Sequence, residues 1–160
     1  MRSIEISNIK KFTAELFAGE RFDRLLTAEV QISTAATFSI NGYLNDVFLG
    51  EEEMQLPENR EGMIRWKKLR PICFEIIKGK KVPQQFKIVF KMPLDMVRSF
   101  LKETGCAFSA EQISGLFLNL HFRDNQMYCT TGSALQTFSM DKSLDHLWDD
   151  YMEAQLKEYR

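Results

Sequence analysis

The sequence is poor in cysteine and histidine and has no long apolar run, and each shortage removes a class of protein. Its three cysteines, Cys73, Cys106 and Cys129, are an odd number with no CxxC pair. That is neither a disulfide framework nor a zinc-ligand spacing, and it reads as free thiols in a reducing cytoplasm. The nearly apolar stretch Leu116 to Leu120 is far too short to cross a bilayer. Glu5, Lys10 and Lys11 interrupt the first residues, so no secretory leader is expected there. Excess charge of one sign is also missing: 21 Lys+Arg stand against 22 Asp+Glu, a net of −1, which excludes a wholly basic polyanion binder. Phosphate and dinucleotide motifs are absent. Gly79-Lys80 has Phe74 where a phosphate loop needs glycine and no Ser or Thr after the lysine, and no GxGxxG opens a helix. No cofactor and no metal is expected.

A chain of 160 residues, 44% hydrophobic and 27% charged, is an ordinary globular composition of one domain. Its periodicity alternates between the two regular types. Ile4 and Ile6 suggest a short strand, and Asn8 or Ser7 caps a helix bearing Ile9, Phe12, Leu16 and Phe17. Val30 and Ile32, then Phe38 and Ile40, suggest an antiparallel pair, with Gly42 marking a bulge or a close backbone approach. Residues 45–63 read as an acidic surface loop with one helical turn. Pro71 suits a first turn, which predicts a helix over 70–78 ending at Gly79. Phe86, Ile88 and Phe90 alternate in a strand, and Pro93 opens a further helix. Leu116 to Phe122 and Met127 to about Phe138 form a hairpin around Asp124-Asn125-Gln126. A last helix follows Asp141, with Leu144, Leu147, Trp148, Tyr151 and Leu156 on its apolar face.

Strand-helix-strand-strand thus occurs twice, as pseudo-repeats over 4–44 and 86–138. The expected fold is α+β: a single compact domain, its antiparallel sheet or sheets built from two βαββ-like units with helices on one side. That layout is similar to the half-domains of DNA sliding clamps, a likeness of fold that carries no function.

The run Trp66-Lys-Lys-Leu-Arg-Pro-Ile-Cys-Phe-Glu-Ile-Ile-Lys-Gly-Lys-Lys-Val-Pro83, the following Phe86-Lys-Ile-Val-Phe90, and the earlier Phe38-Ser-Ile-Asn-Gly-Tyr-Leu44 resemble the centre of a small bacterial family, a domain of unknown function. The resemblance runs over most of the chain. It implies a compact cytosolic domain and no activity, so it assigns no functional residue.

The charge layout is the one uneven polar feature. Residues 45–63 carry a net of −5, residues 65–91 a net of +8, and residues 141–160 a net of −3. Arg65, Lys67, Lys68, Arg70, Lys78, Lys80 and Lys81 are the candidate anion-binding residues, joined in the basic segment by Lys87 and Lys91. Such a face suits a nucleic-acid backbone or an acidic protein partner. Equally, strand lysines serve as solvated edge residues, and the acidic segment is placed to cover the basic one. Trp66 among the basic residues is either a stacking platform or a core residue. A three-residue turn at 124–126 would set His121 opposite Cys129, a base and a nucleophile in reach of each other. His146 and Asp150, four apart on the last helix, read as a solvated face. The expected function is a non-enzymatic binding or interaction module with a basic face. The alternatives are a homodimer or larger homo-oligomer held by complementary charged surfaces, and a small hydrolase-like enzyme around His121 and Cys129. No membrane partner is expected.

Overall fold

Alternation along the strands decides which side of the sheet each residue serves. The computed structural model describes residues 1–160. Its elements are β1 (Ser3–Ile6), α1 (Ile9–Phe17), β2 (Leu26–Ser33), β3 (Thr37–Asn41), α2 (Asp46–Met54), β4 (Ile64–Arg65), α3 (Trp66–Ile77), β5 (Gln85–Lys91), α4 (Leu94–Thr104), β6 (Ile113–Arg123), β7 (Gln126–Leu135) and α5 (Ser143–Gln155). The strands form one seven-stranded sheet in the order β1-β7-β6-β5-β2-β3, with β4 also on β2. Every pairing is antiparallel. The fold is α+β, a single compact domain.

In the central strands Phe86, Ile88 and Phe90 lie opposite Phe122, Leu120 and Leu118. All six are buried, together with Ile4 and Ile6 of β1 and Val30 and Ile32 of β2. Helices cover this face alone. Phe17 of α1 meets Phe86 edge-on at 5.3 Å, and Trp66 of α3 meets Phe90 at 5.4 Å. Phe100 of α4 packs on Trp148 of α5 at 5.3 Å. The result is one cluster of 30 buried residues, in which each large side chain contributes roughly 1.5–3 kcal/mol. The alternate residues Lys87, Val89, Asn119, His121, Tyr128 and Thr130 point to the opposite face, which carries no helix.

Each of the spans 3–41 and 85–135 runs strand, helix, strand, strand. Their pairings differ: β5 lies beside β6, whereas three strands separate β1 from β2.

Three local expectations change. α3 starts at Trp66, a turn before 70, and contains Pro71. Its first amides are satisfied from outside the helix, Trp66 N–H donating to Leu25 O at 2.8 Å and Lys67 N–H to Asp23 O at 3.1 Å. The helix therefore begins without needing proline at its first turn. The acidic segment, expected to be a loop with one helical turn, holds the nine-residue α2, with Asn45 Oδ1 accepting from Phe48 N–H at 3.2 Å and a break at Gly50, where φ is 81°. The β6–β7 hairpin turns on Asp124 and Asn125 alone, both left-handed at φ 53° and 60°, so that Arg123 pairs with Gln126.

Candidate binding site

The basic segment does not form one patch. Arg65, Lys67, Lys68 and Arg70 lie at the start of α3; Lys78, Lys80 and Lys81 lie beyond its end; Lys87 and Lys91 belong to β5. The eight residues from Arg70 to Lys78, at about 1.5 Å each, put roughly 12 Å of helix between the nearest members of the first two groups.

At the first end the two arginines are already engaged. Arg70 forms a two-pronged ion pair with Asp23, Nε to Oδ1 at 2.8 Å and Nη2 to Oδ2 at 3.0 Å. These bonds hold the guanidinium pKa above its ordinary value. Arg65 Nη1 donates to the Arg24 carbonyl at 2.8 Å. Lys67 and Lys68 line an open depression shared with Glu20, Asp23 and Glu58, so both signs of charge meet there. On β5, Lys87 approaches Glu29 at 3.7 Å.

The second end is different. Lys78 pairs with Glu75 at 2.5 Å, both well exposed. Lys80 and Lys81, and Lys10 of α1, make no ion pair. These three lysines rim a cavity of about 460 Å³ between α1, the α3–β5 turn and the end of the sheet. Its floor is apolar: Ile9 and Phe17 from α1, Ile77 from α3, Phe86 and Phe122 from the central strands. Gly79, at φ 133°, turns the chain so that Lys80 and Lys81 stand over that floor, a conformation that side chains bearing a Cβ rarely adopt. A cavity of this size with an apolar lining and a few polar groups at its mouth has the general form of a ligand pocket.

Lys10 and the apolar floor carry no mark in the sequence. Lys10 is an ordinary helix lysine, and the floor residues are ordinary core-facing positions of four separate elements. Only the packing of α1 beside the α3–β5 turn brings them together.

The acidic segment does not neutralise the basic one. Asp46, Glu51, Glu52, Glu53, Glu58 and Glu61 take part in none of the ion pairs. Glu61 instead accepts from Leu94 N–H at 2.9 Å.

His121 and Cys129 are not brought together. The two-residue turn sets His121 opposite Tyr128 and Cys129 opposite Leu120. One residue of register moves a side chain to the other face of a sheet. His121 is exposed on the helix-free face, while Cys129 is fully buried beneath the helices. Burial pushes the Cys129 thiol up to about 12, the reverse of what an attacking thiolate needs. Cys73 is likewise buried and pushed up to about 12.

Trp66 is a core residue. It is fully buried, and its indole N–H donates to Leu16 O at 2.8 Å. Asp149, beside Asp150 on the last helix, is buried and accepts from the Thr131 hydroxyl. His146 is exposed, as is Asp150. No group of three or more His, Cys, Asp and Glu stands where it could hold a metal, and no helix is long and apolar enough to cross a membrane.

Fold and pocket together define an α+β domain with helices on one face of its sheet and a basic-rimmed apolar cavity at one end. The chain belongs to DUF5721, a family of unknown function, which it matches over residues 15–160. No curated protein and no solved structure matches it.

Proposed function

We propose that this protein is a non-enzymatic binding module whose recognition surface is the cavity rimmed by Lys10, Lys80 and Lys81, and that it takes an acidic protein segment carrying apolar side chains. The observation that supports this reading is the pairing of an apolar floor with three lysines that have no ion-pair partner. A bare phosphate backbone would leave the floor of Phe17, Phe86 and Phe122 without a counterpart. It would also need a continuous basic track, and the nine basic residues of 65–91 are dispersed over three places. An amphipathic acidic segment uses both parts of the site at once. The three free thiols fit a cytoplasmic setting.

The test is fluorescence anisotropy with a short labelled peptide of glutamate and phenylalanine, and with labelled duplex DNA beside it. Peptide binding should weaken with salt and when the phenylalanines are replaced by serine. The double variant Lys80→Ala/Lys81→Ala should lose roughly five-fold or more, at up to about 1 kcal/mol for each exposed charge pair. No peptide binding, or binding indifferent to the two lysines, overturns the reading. Tighter binding of DNA with the same lysine dependence returns the site to nucleic acid.

A further inference from the structure

The chain itself carries a segment of the chemistry this cavity fits. α2 contributes no buried residue to the molecule. Val47 is 89% exposed and Phe48 84%, on a segment that holds Asp46, Glu51, Glu52 and Glu53. None of these acids has an ion-pair partner, as none of the three rim lysines does. A helix this short, broken at Gly50, is marginal in water without packing. Its apolar side chains gain from burial only when another surface covers them.

The same chain does not bring the two surfaces together. Both ends of the segment are fastened on the side where α3 begins, by the Tyr43–Met63 bridge and by Leu44 N–H donating to Gly62 O at 2.9 Å. From Met63 the chain runs through β4 directly into α3, and the cavity opens at Ile77, at the far end of that helix.

We propose that the occupant of the cavity is α2 of a second copy of this chain. Phe48 and Val47 enter the apolar floor, and the glutamates of residues 51–53 meet Lys10, Lys80 and Lys81. The proposal rests on the reading of the cavity given above. Because donor and acceptor surfaces are different patches on each molecule, the contact is heterologous, and copies join head to tail into a ring or an open chain. A single short helix in one cavity belongs with the weak, transient interfaces, below roughly 1,200 Å².

The experiment is sedimentation of the full chain over a wide concentration range at low and high salt. Wild type should rise above the 18.7 kDa of one chain as concentration increases and fall back as salt is added. Two variants then divide the joint. Phe48→Asp removes the inserted surface and leaves the cavity; Lys80→Glu with Lys81→Glu removes the rim and leaves α2. All three positions are exposed, and circular dichroism checks that both proteins fold. Each variant alone should remain a monomer. An equimolar mixture should form a heterodimer and nothing larger, because only one intact joint is left between the two. A wild type that stays monomeric at every concentration overturns the proposal, as do association that survives in either variant and a mixture that fails to combine. If the wild type stays monomeric while the glutamate–phenylalanine peptide still binds through Lys80 and Lys81, the cavity reading survives and only the second copy is wrong. If neither binds, both fall.

Discussion

Gly42 holds the tightest backbone contact among the glycines. A Cβ built there would sit 1.7 Å from the Thr27 carbonyl oxygen, so a residue with a side chain must push β3 away from β2. The contact lies beside the point where the β2–β5 register shifts between Thr27 and Glu29. Gly42→Ala should destabilise the fold by about 1–3 kcal/mol or more, read as a lower urea midpoint. An unchanged midpoint would mean the strand moves freely at this position. A glycine inside an alternating run announces such a contact in the sequence, and this one was legible. Trp66 was ambiguous for a different reason. Its basic neighbours belong to the exposed side of α3, whereas its own spacing with Leu69 and Cys73 belongs to the buried side.

Among the elements, the β6–β7 hairpin shows how far local reading reaches. Both strands and their alternation were visible, but the turn is one residue shorter than expected, and that residue separates His121 from Cys129. Asp124 and Asn125 occupy left-handed conformations that asparagine and aspartate tolerate and glycine adopts freely. Asn-Gly and Asp-Gly are the favoured sequences for such a turn, so Asn125→Gly should stabilise the protein by about 0.5–1 kcal/mol, measured as a shift in thermal midpoint. Destabilisation would show that the Asn125 side chain has a role in the turn that its backbone conformation does not explain. Proline normally marks a first turn, which sets the expected start of α3 too late, and the carbonyls of Leu25 and Asp23 that start the helix lie 41 and 44 residues before the amides of Trp66 and Lys67 that they accept from. Contacts of that range have no local signature.

At the scale of the whole molecule, the buried thiols tie stability to alkaline pH. Cys73 and Cys129 keep their protons in the folded state up to about 12, whereas in the unfolded chain a thiol ionises near about 8.5. Above that point the unfolded state binds fewer protons than the native one. The stabilisation is therefore complete below about pH 8.5 and is lost as pH rises toward 12, by up to about 1.4 kcal/mol per pH unit for each thiol. Burial and the hydrogen bond to Glu15 raise Tyr159 in the same sense. Urea midpoints at about pH 8 and pH 10.5 should differ, and the difference should shrink in Cys73→Ala/Cys129→Ala. A difference that persists unchanged would assign the alkaline loss elsewhere. The near balance of charge in the sequence proves to be a spatial separation. The arginines near the start of α3 are tied down locally, Lys80 and Lys81 beyond its end stand over an apolar floor, and of the acids of residues 45–63 only Glu58 lies in the depression beside Lys67 and Lys68.

The pairing of β1 with β7, and on through β6, β5 and β2, also governs where the chain can change length. An extra residue within the evenly paired stretch of β5 and β6, unless absorbed as a bulge, would exchange the buried and solvated sets on one side of the insertion, so that stretch has little freedom to lengthen or shorten. Between Leu44 and Gly62, where the chain leaves and returns through one pair of neighbouring backbone groups and buries nothing in between, residues can be gained or lost with little consequence for the core. The segment that holds α2 is thus free to vary in length.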